Sequence, residues 1–446
     1  MERKKPPTDT IATQNNAISN DSDWVSFETT ISTAPNQLAI APGYLLKEWE
    51  ANGRKYYHYK MDAPILNFYS FVSGEYEVIR DKWQDVNLEI YHHKNHTYNL
   101  DRMMKGLKRG LDYYTTNFSP YQHRQVRVIE FPRHHGRFAQ SFANTIPFSE
   151  GFGFTAKVDD SEEGGFDYPF AVTAHELAHQ WWGHQVVGGD VQGATTIIES
   201  LSEYSALKVL EKEYGKNKMR KFLKNALDSY LQGRTFESKK ENPLMYCEDQ
   251  GYIRYDKGSL VMYAMSDYLG DTVLNNALKN YIAKTAFQEA PYTTTLELVS
   301  EIDAVTPDSL KYLIKDMFET ITLYSNRVIK TSSEKMEDGR YKVTLDYQVR
   351  KYRADDKGKR IYADTEGIDF YQLNTKQDTI RSLPLQDYID IGVFGEEDKE
   401  LYLQKHKITN IFDSIELILD EEPKEVGIDP YNKLIDTQSE DNRRRL

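Results

Sequence analysis

Two histidines four residues apart, with a glutamate beside the first, are the residues whose types and spacing point most directly to chemistry. They lie in AHELAHQWWGHQ, residues 174–185. On a helix, four residues turn the chain by about 400°, so His175 and His179 project from one face about 40° apart. Two imidazoles so placed can hold one zinc ion. Glu176 then flanks the metal without ligating it, where it can take a proton from a metal-bound water. A catalytic zinc needs a third protein ligand and an open fourth position. Gly183 and His184 miss by one position the spacing that would make His184 that ligand, so His184 reads as structural or as part of the rim. The other source is a carboxylate on a following helix. Glu199, in TTIIESLSEYSAL, is the candidate, and Glu203, one turn later, is the alternative.

These side chains need elements to carry them. Helical spacing predicts a helix over 100–114, with Leu100, Met103, Met104, Leu107 and Leu111 on one face. Further helices are expected at 170–187, 196–214, 219–232, 257–269, 273–284, 294–302 and 307–318. Short alternating runs punctuated by turn residues predict strands at 25–30, 37–40, 56–59, 68–72 and 86–91. A buried strand is expected at 126–129 and an edge strand at 145–148, beside Pro147. After Asn326 the period returns to two, with strands expected at 328–331, 340–350, 367–373, 379–382 and 414–419. The class is therefore α+β. The expected order is a flexible leader at 1–24, a β piece at 25–82, a mixed then mainly helical region at 83–325, and a β domain at 326–446 ending in a basic tail.

Composition narrows the function. The chain has 446 residues, with 56 Lys+Arg against 69 Asp+Glu, a net charge of −13. That balance argues against a nucleic-acid partner, whose phosphates need a basic face. Mean hydropathy is −0.68, and no apolar run approaches the ~18 residues of a membrane helix. Cys247 stands alone, which excludes a disulfide framework and a thiolate cluster. Residues 1–24 contain no apolar stretch of the secretory kind. The expectation is a cytoplasmic protein or a soluble piece of something larger. His92, His93 and His96, and likewise His134 and His135, read as solvated loops, because no paired carboxylates stand at ligand spacing beside them.

The run HELAHQWWG, followed by a helical Glu, resembles the zinc aminopeptidases of the gluzincin group, the aminopeptidase N family. The resemblance implies one zinc per chain held by His175, His179 and Glu199, with Glu176 as general base and a peptide as substrate. It also implies a thermolysin-like catalytic domain flanked by a partial N-terminal β domain and a C-terminal β-sandwich. Nineteen residues separate His179 from Glu199, one more than the family pattern. The Gly-rich loop between them is the expected place for the extra residue. Ile198 stands where the family has Asn, and Tyr204 follows Glu199 at the family offset. Tyr255, in Tyr-Asp-Lys-Gly, lies 80 positions after His175. By resemblance it donates its hydroxyl to the oxyanion, a contribution of about 10²–10³ in rate.

One family element is altered. The Glu of the G-x-M-E-N segment binds the substrate's free amine in this family. The matching stretch, QSFANTIPFSE at 140–150, has Ser141 at that position and a further carboxylate at Glu150. The hydrolytic machinery thus resembles the family and the exopeptidase anchor does not. The motifs, with the late GIDPYNKLID, are also similar to peptidase domains fused to bacterial transporter-permease membrane proteins. That similarity suggests a tether to a permease and membrane attachment. It also supplies the rival reading: a peptidase-like module that binds or senses peptides with little turnover.

Overall fold

The structure, a computed structural model, describes residues 4–19, 22–159, 161, 166–361 and 382–446. The fold is mixed α+β, as expected. Its helices are α1 (Leu100–Asn117), α2 (Tyr168–Ala178), α3 (Leu201–Tyr214), α4 (Lys216–Thr235), α5 (Gly258–Leu269), α6 (Asp271–Thr285), α7 (Thr295–Val305) and the single turn α8 (Tyr312–Ile314). The chain divides into two compact units. One comprises residues 1–216, 245–250 and 265–308; the other comprises 217–244, 251–264 and 309–446.

The first unit begins with the short β1 (Trp24–Val25), β2 (Glu28–Thr33), β3 (Leu38–Ile40), β4 (Tyr44–Ala51), β5 (Arg54–Lys60), β6 (Ile65–Leu66) and β7 (Val72–Gly74). They form small antiparallel sheets ordered β2-β5-β4, β1-β6 and β3-β7. Then come β8 (Glu77–Trp83), β9 (Val86–His92), β10 (Gln125–Phe131) and β11 (Thr145–Ser149). Their order is β11-β10-β9-β8, with β9, β10 and β11 parallel and β8 antiparallel. In β10, Val126, Val128 and Ile129 are all fully buried. That near-continuous apolar run is characteristic of a strand covered on both faces.

Two glycines set how closely α1 approaches α2. A Cβ at Gly106 would stand 2.9 Å from the Phe170 carbonyl oxygen, and one at Gly110 would stand 2.7 Å from Leu177 Cδ2. Both contacts are shorter than side chains tolerate, so glycine lets the two helices meet. Asp167 caps α2, accepting from Phe170 N–H at 3.2 Å, and Pro169 stands in its first turn. Asp167 also accepts from Arg102 and from the Tyr214 hydroxyl, tying α1 and α3 to the start of α2.

The expected helix at 170–187 stops short. It ends at Ala178, and residues 179–187 turn back on themselves. Gly183, at φ +132°, makes that reversal, and its N–H donates to the Val186 carbonyl at 2.9 Å. The expected helix at 307–318 is broken into a 3₁₀ turn, α8 and a π-helical turn at Lys315–Glu319.

The expectation of a flexible leader is corrected for residues 4–19. This segment lies along the loop after α2. Gln192 N–H donates to the Lys5 carbonyl, Asp190 N–H to that of Asn15, and Ala17 N–H to that of Gly188, all at 2.8–2.9 Å. Lys4 pairs with Asp190 at 2.9 Å, and Asn16 is buried. Its polar composition supplies little apolar surface, but its backbone groups bond across sequence distance, which local composition does not encode.

The second unit holds β12 (Ile321–Lys335), β13 (Tyr341–Ala354), β14 (Arg360–Ile361), β15 (Asp387–Phe394), β16 (Glu400–Ile408), β17 (Phe412–Leu419), β18 (Glu425–Ile428) and β19 (Arg443–Arg445). They form two antiparallel sheets, β12-β13-β14 with β17 against β13, and β16-β15-β18-β19. The strand expected at 367–373, and that at 379–382 apart from Ser382, lie outside the described residues. No helix among the described residues is long and apolar enough to cross a membrane.

Candidate metal centre

The second turn of α2 and its C-terminal end carry His175, Glu176 and His179, all three buried. The apolar residues around them hold the segment in place. Trp181 and Trp182 are fully buried, and their indole N–H groups donate to the Ser119 carbonyl and to Ser205 Oγ, both at 3.0 Å. Tyr114 donates from α1 to the Ala174 carbonyl at 2.9 Å.

Glu199 lies on a π-helical turn, Thr196–Ser200, that leads into α3. A π turn accommodates one more residue than the corresponding α turn, and such turns recur at functional sites.

Three atoms converge. His175 Nε2 and His179 Nε2 are 3.0 Å apart, and Glu199 Oε2 lies 3.4 Å from each. Ligands about 2.0–2.1 Å from a common tetrahedral centre stand roughly 3.3–3.4 Å from one another. The triangle matches one face of such a tetrahedron. Glu199 Oε2 is buried without a hydrogen-bond partner among the described residues, a costly state that a cation relieves. The two-nitrogen, one-carboxylate donor set is one that zinc favours. The residues therefore fit the metal that the sequence implied.

The outer nitrogen of the His179 ring is held by hydrogen bonds, and that of His175 faces a carboxylate. His179 Nδ1 donates to the Trp182 carbonyl at 3.0 Å, with Ser202 Oγ also at 3.0 Å, which turns the Nε2 lone pair toward Glu199. His175 Nδ1 lies 3.3 Å from Glu203 Oε1. Glu203, the alternative ligand, thus faces the ring nitrogen on the other side of His175 from His179.

The electrostatics follow from burial and mutual proximity. Burial alone would push the His175 pKa down. The carboxylates of Glu203, Glu199 and Glu176 outweigh it and hold the value up at about 9. Burial would raise Glu199, but the facing His179 and His175 rings hold it well below the usual carboxylate range. Burial raises Glu176 and Glu203.

The other candidates are placed differently. Ser141 is buried against the motif: its Oγ accepts from Gln180 Nε2 at 2.7 Å, and its carbonyl accepts from His184 Nε2 at 3.1 Å. Burial pushes the His184 pKa down to about 4, so it is a neutral scaffold histidine. Gln180, which the sequence did not single out, also donates to the Phe142 carbonyl and accepts from Asn144 N–H, clamping this loop to the motif. Glu150 accepts from Arg133 N–H at 3.1 Å and stands 3.9 Å from His96 Nδ1. Tyr255 belongs to the second unit. It lies half-buried in another π-helical turn, Tyr252–Lys257, with the Arg254 guanidinium 4.8 Å from its ring centre.

The expectation of solvated histidine loops is corrected in part. His92 is buried, its Nδ1 3.0 Å from the His93 carbonyl, and His96 meets two carboxylates. One comes from β10 and the other from just after β11, so no local spacing announces them.

Comparison with known proteins gives a consistent outline. The model of the family described as "Peptidase family M1 domain" matches residues 98–320, half of the chain. "Probable aminopeptidase 1" of Sulfurisphaera tokodaii is 27% identical over 206 residues, covering 44% of this chain and 25% of that protein. "Endoplasmic reticulum aminopeptidase 1" of Homo sapiens is 23% identical over 279 residues, covering 59% and 29%. "Leucyl aminopeptidase" of Saccharolobus solfataricus is 22% identical over 290 residues, covering 62% and 36%. The chain thus spans about a quarter to a third of the length of these relatives. Among solved structures, Legionella pneumophila aminopeptidase A in complex with aspartic acid matches with a TM-score of 0.59 at 15% identity. That match covers 93% of this chain and 45% of the other, a likeness of fold.

Proposed function

The chain belongs to peptidase family M1, and from that premise we propose that it is a zinc-dependent metallopeptidase of aminopeptidase type, cutting peptide bonds. The observation that carries the reading is the converging triangle of His175, His179 and Glu199, with buried Glu176 beside it. One zinc ion held by those three residues would supply Lewis acidity and a water of lowered pKa. Glu176 takes the proton of the attacking water and returns it to the leaving amine. Glu203 and the Trp182 carbonyl orient the two imidazoles from behind. Tyr255 is the proposed donor to the oxyanion, a role that rests on its Tyr-Asp-Lys-Gly context. The substrate is a peptide, and the names of the relatives support an aminopeptidase.

The altered anchor at Ser141 favours a second reading, a module that binds peptides with little turnover. The likeness of the motifs to permease-fused peptidases makes membrane tethering part of that reading. Turnover of an unbiased peptide mixture, followed by mass spectrometry with and without a zinc chelator, separates the two. Chelator-sensitive cleavage supports the peptidase. Binding of peptides with no cleavage at any zinc loading supports the module.

A further inference from the structure

The C-terminal ends of three adjacent parallel strands meet at a second cluster of metal-ligating side chains. His96 follows β9, in a turn closed by its own N–H donating to the His93 carbonyl at 2.9 Å. Glu130 is the penultimate residue of β10, and Glu150 is the first residue after β11. The register pairs Ile129 with Tyr91 and Phe131 with Ser149, which sets these three strand ends side by side. Clefts beyond the carboxyl ends of parallel strands are where such sheets bind ligands.

The two carboxylates are held in the same way. Glu130 accepts His93 N–H on Oε2 at 2.5 Å and meets His96 Nδ1 with Oε1. Glu150 accepts Arg133 N–H on Oε1 at 3.1 Å and turns Oε2 to His96 Nδ1, 3.9 Å away. Each thus spends one oxygen on a backbone amide and aims the other at the same point. The ligand atoms of the trio lie within 4.8 Å of one another. Backbone anchoring of this kind fixes a carboxylate before a metal arrives.

Charge points the same way. The trio brings two carboxylates to one imidazole, and Glu130 is only 4% exposed. The Arg133 guanidinium approaches Glu150 at 3.9 Å, on the anchored oxygen, from a side chain 76% exposed. It is a poor counter-charge for the inward-facing pair. Glu150 and His96, at 23% and 24% exposed, leave one side open to solvent. An imidazole with two carboxylates is a donor set for a divalent transition metal, zinc foremost, rather than for the all-oxygen shells of calcium or magnesium.

We propose that His96, Glu130 and Glu150 form a second zinc site with three protein ligands and an open fourth position, at the ends of β9, β10 and β11 ahead of α1. It shares no residue with the centre on α2, so the two can be emptied separately. The test is zinc stoichiometry of the full chain, stripped of metal and then dialysed against micromolar zinc. The unsubstituted chain is expected to hold two equivalents. His96→Ala and Glu150→Gln are each expected to hold one, and His179→Ala to hold one. His134→Ala/His135→Ala, which alters only the neighbouring exposed histidines, is expected to keep two. Glu150→Gln serves where His96→Ala folds poorly. Zinc is also expected to raise the melting temperature of His179→Ala, and to leave that of His179→Ala/His96→Ala unmoved. A single equivalent in the unsubstituted chain, or two retained by both His96→Ala and Glu150→Gln, overturns the proposal and leaves His96 as an ion-pair partner only.

Discussion

Glu203 Oε1 stands 3.3 Å from His175 Nδ1, the ring nitrogen that faces away from His179. This relationship separates two glutamates that lie one helical turn apart. Glu199 joins the converging triangle, whereas Glu203 buttresses the ring behind it. Glu199→Ala is therefore expected to abolish zinc retention. Glu203→Gln is expected to keep a full equivalent at saturating zinc and to weaken affinity by about 10–100-fold. Chelator competition measures both. Loss of zinc from Glu203→Gln with retention in Glu199→Ala would reverse the assignment.

Glu176→Gln preserves size and removes the base. It is expected to retain zinc and to lose turnover by about 10²–10⁴-fold. Tyr255→Phe is expected to lower kcat by a smaller factor with little change in KM. Equal rates for Tyr255→Phe and the parent would remove Tyr255 from the mechanism.

Ser141 bonds to Gln180 and carries no charge for a substrate amine, and Glu150 is engaged by Arg133 N–H and faces His96. A buried ammonium without a paired anion is costly. The free N-terminus is therefore expected to confer only a modest advantage. The measurement is kcat/KM on matched free and acetylated peptides. A preference for the free amine of about 10³-fold, roughly 4 kcal/mol, would mean that another acid anchors it.

Residues 4–19 brace the loop that joins α2 to the Glu199 turn. Removing them takes away the backbone bonds to Gln192, Asp190 and Gly188 and the Lys4 pair. Each such hydrogen bond contributes about 0.5–1.5 kcal/mol. Truncation is expected to lower the melting temperature by a few degrees, at about 1–2 °C per kcal/mol for a chain of this size, and to speed zinc release. An unchanged melting curve would show that the segment contributes nothing to stability.

Burial pushes Asp436 up to about 7, although its oxygens accept from Asn326 N–H and Gln438 N–H, both at 2.8 Å. Between about pH 4, where the unfolded carboxyl titrates, and pH 7, the folded chain keeps a proton that the unfolded chain releases. Stability from this group therefore falls as pH rises through that window and is level above it. Asp436→Asn cannot ionise, and is expected to flatten the fall in melting temperature from pH 5 to 7.5. An identical slope in the variant would assign the dependence elsewhere.

The local patterns were legible in the sequence because they are periodic. Four-residue spacing put His175 and His179 on one face, the glutamate on the following helix was visible as the third ligand candidate, and the return to period two marked β12 and β13. What the tertiary structure decided depends on contacts between distant segments. Which nitrogen of His175 faces Glu199 and which faces Glu203 is set by how α2 packs against α3. The reversal at Gly183 and the π turn at Thr196–Ser200, which interrupt the helices expected from spacing, are set by contacts beyond the local sequence. His96, Glu130 and Glu150 are scattered along the chain and meet only because three parallel strands end together. The polar segment at 4–19 is ordered by backbone hydrogen bonds to a remote loop, and backbone bonding leaves no mark on side-chain composition.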